Sequence, residues 1–150
     1  MSVSSITPFL WFNSAAEEAA RYYVSLFPNS KIRYVSPGPN GAAMVVGFEI
    51  FGQPLTALNG GPTYKLTEAF SLMVSCSDQA EIDRLWRALC DGGKPGVCGW
   101  LIDRFGLSWQ INYEGLPRLM SGRNGSKVMS AMRSMGKMDV ARLNEIAAAE

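Results

Sequence analysis

Histidine is absent from the 150 residues. Without imidazole there is no histidine metal ligand, no Ser–His or Cys–His nucleophile pair and no histidine acid–base group. Cysteine is scarce. Cys76, Cys90 and Cys98 form no C-x-x-C and no zinc-type spacing. They read as free thiols of a reducing compartment, and the expected location is cytoplasmic. Charge is sparse as well, at 18% of residues, and nearly balanced, with 14 Lys and Arg against 13 Asp and Glu for a net +1. That balance supplies no general attraction to nucleic acid or to an anionic membrane, so neither is an expected partner. No apolar run approaches the ~18 residues of a membrane helix. Met1 to Asn13 lacks the basic-then-apolar pattern of a signal peptide.

What is present is apolar: 47% of the chain, in a length that suits a single domain hiding about 70% of its unfolded surface. Ile6 to Asn13 reads as a strand. Ser14-x-x-Glu17 follows as a capping box, and Ala16, Ala19, Tyr22 or Tyr23 and Leu26 recur at helical spacing until Pro28-Asn29. Lys31 to Ser36, Ala43 to Phe51 and Pro54 to Leu58 read as strands, the first two joined by a turn around Asn40-Gly41. The order is β-α-β-β-β.

The order then begins again. Ala69 to Cys76 is a predicted strand, Asp78 to Cys90 a helix, and Val97 to Ile102 and Leu107 to Tyr113 two further strands. A shift of 63 residues lays Ser14 on Ser77, Glu18 on Glu81, Arg21 on Arg84, Leu26 on Leu89 and Lys31 on Lys94. Identities at matched places, with no gap, indicate a duplicated unit. The second copy reads one strand short, with no clear final strand after Tyr113. A helical tail completes the chain: a turn at Leu116 to Met120, a helix from Ser126 to Met135 ended by Gly136, and a last helix N-capped by Asp139. Met129, Met132, Met135 and Met138 form a stripe that suits packing on irregular apolar surface.

Thr7-Pro8-Phe9-Leu10-Trp11-Phe12, the Ala-Glu-Glu-Ala helix ending in Leu26-Phe27-Pro28, Leu58-Asn59-Gly60-Gly61-Pro62, and the run from Cys98 to Gln110 closely resemble the PhnB-like family. That family is also described as 3-demethylubiquinone-9 3-methyltransferase-like, and it falls in the vicinal-oxygen-chelate superfamily of glyoxalase I, extradiol dioxygenases and bleomycin-resistance proteins. The resemblance implies an α+β chain of two βαβββ modules, at about residues 5–62 and 68–114, each curling into a half-barrel, with the tail over 115–150. It also implies a homodimer.

The resemblance further implies two inward-facing ligands per module in metal-dependent members. Laid on this chain those positions fall near Thr7, Ala57, Ser71 and Gln110. None is a carboxylate or imidazole, so the expectation is no metal and no other cofactor. Strand parity outlines a ligand-binding face instead. In the strand Ala43 to Phe51, the row Met44, Val46, Phe48 and Ile50 is expected to face the helix, leaving Glu49 inward beside Gly47. Enclosed there, Glu49 is the candidate general base. Trp11, Ala57, Asn59, Ser71, Met73 and Gln110 are the expected ligand contacts. Asp103 is expected to bond local backbone N–H groups in its turn. The expected function is binding, or metal-free conversion, of a small organic molecule. Metal-dependent lyase, isomerase or dioxygenase chemistry is the alternative. Methyl transfer ranks last, because Asn13-Ser14-Ala15-Ala16 and Cys76-Ser77-Asp78-Gln79 lack the glycines of a nucleotide-binding turn.

Overall fold

Helix α1 (Ala16–Leu26) buries Ala16, Ala19, Ala20 and Tyr23 along one side. Three of the four are alanines, which let a helix lie close against a sheet. The computed structural model describes all 150 residues and groups them into two compact units, Met1–Leu66 and Thr67–Glu150. In the first, α1 is preceded by β1 (Phe9–Phe12) and followed by β2 (Lys31–Pro37), β3 (Ala43–Ile50) and β4 (Gln53–Asn59). The sheet order is β1-β4-β3-β2, with β1 parallel to β4 and the other pairs antiparallel. Leu10, Phe12, Val46, Phe48, Leu55 and Ala57 are buried with the helix, and the Tyr23 and Phe48 rings lie 6.4 Å apart.

Val46, Phe48 and Ile50 turn to the helix as their alternation predicts, but Met44 does not and is exposed. The pairing is irregular beyond Ser36, where Pro37 meets Ala43, so Met44 falls out of the alternating row. A second irregularity lies in β2. Ile32 pairs with Phe48 and Tyr34 with Gly47, leaving Arg33 as the extra residue of a bulge. The bulge places Tyr34 on the Glu49 side of the sheet. With regular pairing Arg33 would meet Gly47, and Tyr34 would face the helix.

The expected Ser14–Glu17 capping box does not form. The residue before α1 is Ala15, which has no side chain to cap with. Asn59, at the far end of β4, does the work: its Oδ1 accepts from the Ala16 N–H at 2.8 Å, and its Nδ2 donates to the Ala43 carbonyl at 3.0 Å. A local motif therefore yields to a long-range amide that ties helix, β3 and β4 together.

The second unit repeats the plan with β5 (Ser71–Cys76), α2 (Gln79–Cys90), β6 (Lys94–Pro95), β7 (Trp100–Ile102) and β8 (Ser108–Tyr113), in sheet order β5-β8-β7-β6. All four strands are present, so the expected missing final strand is a misreading: β8 is the final strand. The shortened one is β6, two residues long. The 63-residue shift brings α1 onto α2 and the start of β2 onto the start of β6. It fails afterwards because the hairpin following Lys94 is much shorter than the one following Lys31. Helix α2 is capped locally, with Asp78 Oδ1 accepting from the Glu81 N–H at 2.9 Å. Ile82, Leu85 and Leu89 are its buried side, beside Leu101, Trp109 and Ile111.

The tail groups with this second unit as α3 (Leu116–Met120), α4 (Gly125–Ser134) and α5 (Val140–Ala148). Asp139 caps α5 as expected, accepting from the Arg142 N–H at 2.9 Å. Gln79 fastens the tail to α2, donating to the Met138 carbonyl and accepting from the Val140 N–H. Of the methionine stripe, Met138 is fully buried and the other three are half-buried. No helix is long and apolar enough to cross a membrane.

Candidate functional site

Each sheet has one face turned to its helix and one open face, and the pairing registers lay out the open faces as rows. In the first unit one row runs Trp11, Leu58, Val45, Ser36. The next runs Phe9, Thr56, Gly47, Tyr34, and the third Pro54, Glu49, Lys31. Four aromatic rings gather here. Trp11 is half-buried, its Nε1–H donating to the Gly61 carbonyl at 2.9 Å, and Tyr64 meets it edge-on with centroids 5.0 Å apart. The indole lies so close to Gly60 that a Cβ there would overlap it, which explains a glycine at the head of the loop. Tyr34 lies in the same way over Gly47. The space that Gly47 leaves beside Glu49 is therefore filled by the tyrosine ring. Phe9 is 59% exposed and Tyr34 49% exposed.

Glu49 lies on this open face, as its parity predicts, at the end away from Trp11. It is not alone there: Arg33 Nη1 is 3.1 Å from Oε1 and Lys31 Nζ is 3.7 Å from Oε2. Each oxygen of the expected base is held by a cation. Two cations against one carboxylate leave this end of the face with one positive charge unmatched.

Ala57 and Asn59 are placed differently from expectation. Ala57 pairs with Leu10 and Val46 on the helix side and is 1% exposed, so it has no access to a ligand on the open face. Asn59 has both ends of its amide engaged in capping α1 and holding Ala43. Both corrections come from a one-residue error in the parity of β4, whose two faces are each apolar enough to pass for the inner one.

In the second unit the open-face rows are Ser71, Ser108, Ile102, Lys94; then Met73, Gln110, Trp100; then Ser75, Asn112. Ser71, Met73 and Gln110 are thus brought together, with Gln110 Nε2 donating to Ser71 Oγ at 3.0 Å. On the opposite face Trp109 is core, and its Nε1–H donates to Asp103 Oδ2 at 2.8 Å. Asp103 Oδ1 accepts from the Phe105 and Leu107 N–H groups, the turn-holding role its position suggests.

The positions that hold metal in the resemblance do not fit one here. Ala57 offers a buried methyl, and Ser71 and Gln110 are bonded to each other. No three His, Cys, Asp or Glu side chains are grouped to hold an ion. The helix N-termini, where phosphates and carboxylates of nucleotide-type donors usually sit, are also engaged: α1 by Asn59 and α2 by Asp78. Acidic residues stand in their first turns, Glu17 and Glu18 in α1 and Glu81 in α2.

Sequence reasoning did not single out Tyr34, Tyr64 or Ser108. The β2 bulge has no sequence signal, Tyr64 lies in a loop, and Ser108 stood in the mixed row of its strand beside Gln110 without distinction.

Comparison with known proteins agrees with this architecture. Residues 4–112 match the family model described as 3-demethylubiquinone-9 3-methyltransferase. A Bacillus cereus protein carrying the PhnB and 3-demethylubiquinone-9 3-methyltransferase names is 30% identical, with 73% of this chain and 99% of that one covered and a TM-score of 0.69. The fosfomycin resistance protein FosX of Listeria monocytogenes is 15% identical over 73% of this chain and 91% of its own, with a TM-score of 0.50. A glyoxalase-related enzyme of Fulvimarina pelagi is 12% identical over 76% and 91%, also at 0.50. These two share the fold. No curated protein matches the chain at the sequence level. By its two βαβββ modules and by the match over most of its length, the chain belongs to the PhnB-like, 3-demethylubiquinone-9 3-methyltransferase family.

Proposed function

We propose that this protein binds a small planar organic molecule on the open face of its first sheet, without a metal centre. The observation that carries the reading is the group of four aromatic rings, Phe9, Trp11, Tyr34 and Tyr64, gathered at one open sheet face with three of them about half exposed or more. Aromatic surface grouped in this way suits the flat face of an organic ligand. Lys31 and Arg33 beside Glu49 give the far end of the face a charged anchor of net positive sign. Binding is favoured over proton abstraction because both Glu49 oxygens are held by cations. Methyl transfer, which the family description names, is not favoured, because the strand-to-helix turns lack glycine and the N-termini of α1 and α2 are already capped by Asn59 and Asp78. Metal-dependent chemistry is not supported by Ala57, Ser71 and Gln110. The expected working form is a homodimer, which light scattering at micromolar concentration tests.

Titration with 8-anilinonaphthalene-1-sulfonate and a panel of uncharged planar aromatics, followed by thermal shift, tests the reading. Several should raise the melting temperature, and Trp11→Ala should weaken them by fivefold or more. A panel that binds nowhere, or that binds Trp11→Ala as well as the parent, would defeat it.

A further inference from the structure

The open face of the second sheet carries a feature that the aromatic seat on the first does not use. Ser108 is 1% exposed, and its Oγ is the one buried side-chain polar atom in the protein without a hydrogen-bond partner. Removing a hydroxyl from water without giving it a partner is unfavourable, and native structures seldom tolerate it without a reason. Nothing in the fold requires a hydroxyl here. Alanine would fill the site with no polar atom to satisfy.

The neighbours say what the hydroxyl is suited to meet. Ser71 stands beside it on β5 and Ile102 on β7, and Gln110 follows two residues along β8 between Met73 and Trp100. Gln110 has given one N–H to Ser71 Oγ. That leaves the second Gln110 N–H, the Ser71 O–H and the Ser108 O–H as donors. Ser71, Ser75, Ser108, Gln110 and Asn112 are all neutral. The charge in register with them is Lys94, exposed on the edge strand two strands from Ser108. A charged ligand group would be dehydrated there with no counter-charge, whereas a neutral acceptor oxygen would find donors and an apolar surround.

We propose that Ser108, Ser71 and Gln110 form a hydrogen-bonding subsite for the carbonyl oxygen of a small neutral ligand, whose apolar body lies on Met73, Trp100 and Ile102. Ser71 and Gln110 are half-buried, so the carbonyl reaches Ser108 by replacing the Gln110–Ser71 hydrogen bond. The subsite belongs to the second sheet and the proposed aromatic seat to the first, and each has its own test.

The test uses the full chain, labelled with nitrogen-15, and two probes of one shape: acetophenone, and α-methylstyrene, in which a methylene replaces the carbonyl oxygen. Acetophenone should shift the backbone amides of Ser71, Ser108 and Gln110 and the Gln110 side-chain amide, and should bind roughly tenfold tighter than α-methylstyrene, the worth of about one hydrogen bond. Ser108→Ala should erase most of that preference while its unliganded melting temperature equals or exceeds the parent's, a sign opposite to that of a hydroxyl kept for structure. Ser71→Ala gives a second reading of the preference. Equal binding of the two probes, or Ser108→Ala with lowered stability and unchanged preference, would overturn the subsite. Shifts confined to Trp11, Tyr34 and Thr56 would also overturn it while favouring the aromatic seat.

Discussion

Replacing Asn59 separates a ligand contact from a structural clamp. Its amide makes two bonds at once, accepting from Ala16 at 2.8 Å and donating to Ala43 at 3.0 Å. Asn59→Ala removes the only side-chain cap on α1, a loss of about 1 kcal/mol. It also removes the bond to the Ala43 carbonyl, worth roughly another 1 kcal/mol. The expected destabilisation is roughly 2 kcal/mol, or about 4–8 °C in melting temperature for a chain of this size. Asn59→Asp should fall between parent and Ala. Its carboxylate still accepts at a helix N-terminus, where negative charge is favourable by about 0.3–1 kcal/mol, but it turns an acceptor toward the Ala43 carbonyl. Urea unfolding followed by circular dichroism reads both variants, with the slope expected to stay unchanged. Affinity for planar aromatic probes should also stay unchanged. Asn59→Ala with stability within about 0.5 kcal/mol of the parent, or with normal stability and lost affinity, would refute the clamp and return Asn59 to the ligand site.

Three further outcomes follow from the geometry. Asp103→Asn leaves three N–H donors, those of Phe105, Leu107 and Trp109, pointing at a group with one acceptor oxygen; a loss of roughly 2–3 kcal/mol in urea unfolding is expected, and no loss would contradict the role of Asp103. Glu49→Gln breaks two ion pairs whose cationic partners are largely exposed; stability should change by less than about 1 kcal/mol, while affinity for an anionic probe that reaches Lys31 and Arg33 should rise as their charge is released, and unchanged affinity would remove this end of the face from the site. Burial, then the nearby Glu81 carboxylate, pushes the Cys76 thiol up to about 11. At pH 8 roughly one molecule in a thousand then carries its thiolate, so iodoacetamide should leave Cys76 unmodified in the native protein, with labelling rising about tenfold per pH unit up to pH 10 while the fold persists; mass spectrometry showing rapid labelling at pH 8 would refute this.

The modules and the repeat were legible because they rest on periodicities that survive without tertiary context. Val46, Phe48 and Ile50 against Val45, Gly47 and Glu49 is a period of two with one plainly apolar side, and β3 has those faces. The alternation of β5 and β8 was readable for the same reason. β4 was not, because Leu55 and Ala57 on one side and Pro54 and Leu58 on the other are equally apolar. Only the pairing of Ala57 with Leu10 decides between them. Capping failed differently: Ser14-x-x-Glu17 satisfies a local rule, but Asn59 lies 43 residues from Ala16 and no local pattern points to it. Ser108 is the opposite case. Its identity was visible, but its meaning depends on a hydrogen bond it does not make.

The bulge at Arg33 has an evolutionary consequence. A residue that sits outside the pairing register can be deleted without moving any neighbour to the other face: Ile32 would still meet Phe48, and Tyr34 would still meet Gly47. Elsewhere in a strand a one-codon deletion inverts every side chain beyond it. Here it would subtract one guanidinium and leave Lys31 and Glu49 as a neutral pair. Lineages can therefore change the charge of this sheet end by insertion and deletion rather than by substitution. Column-by-column sequence alignment across the bulge will then pair residues that point in opposite directions.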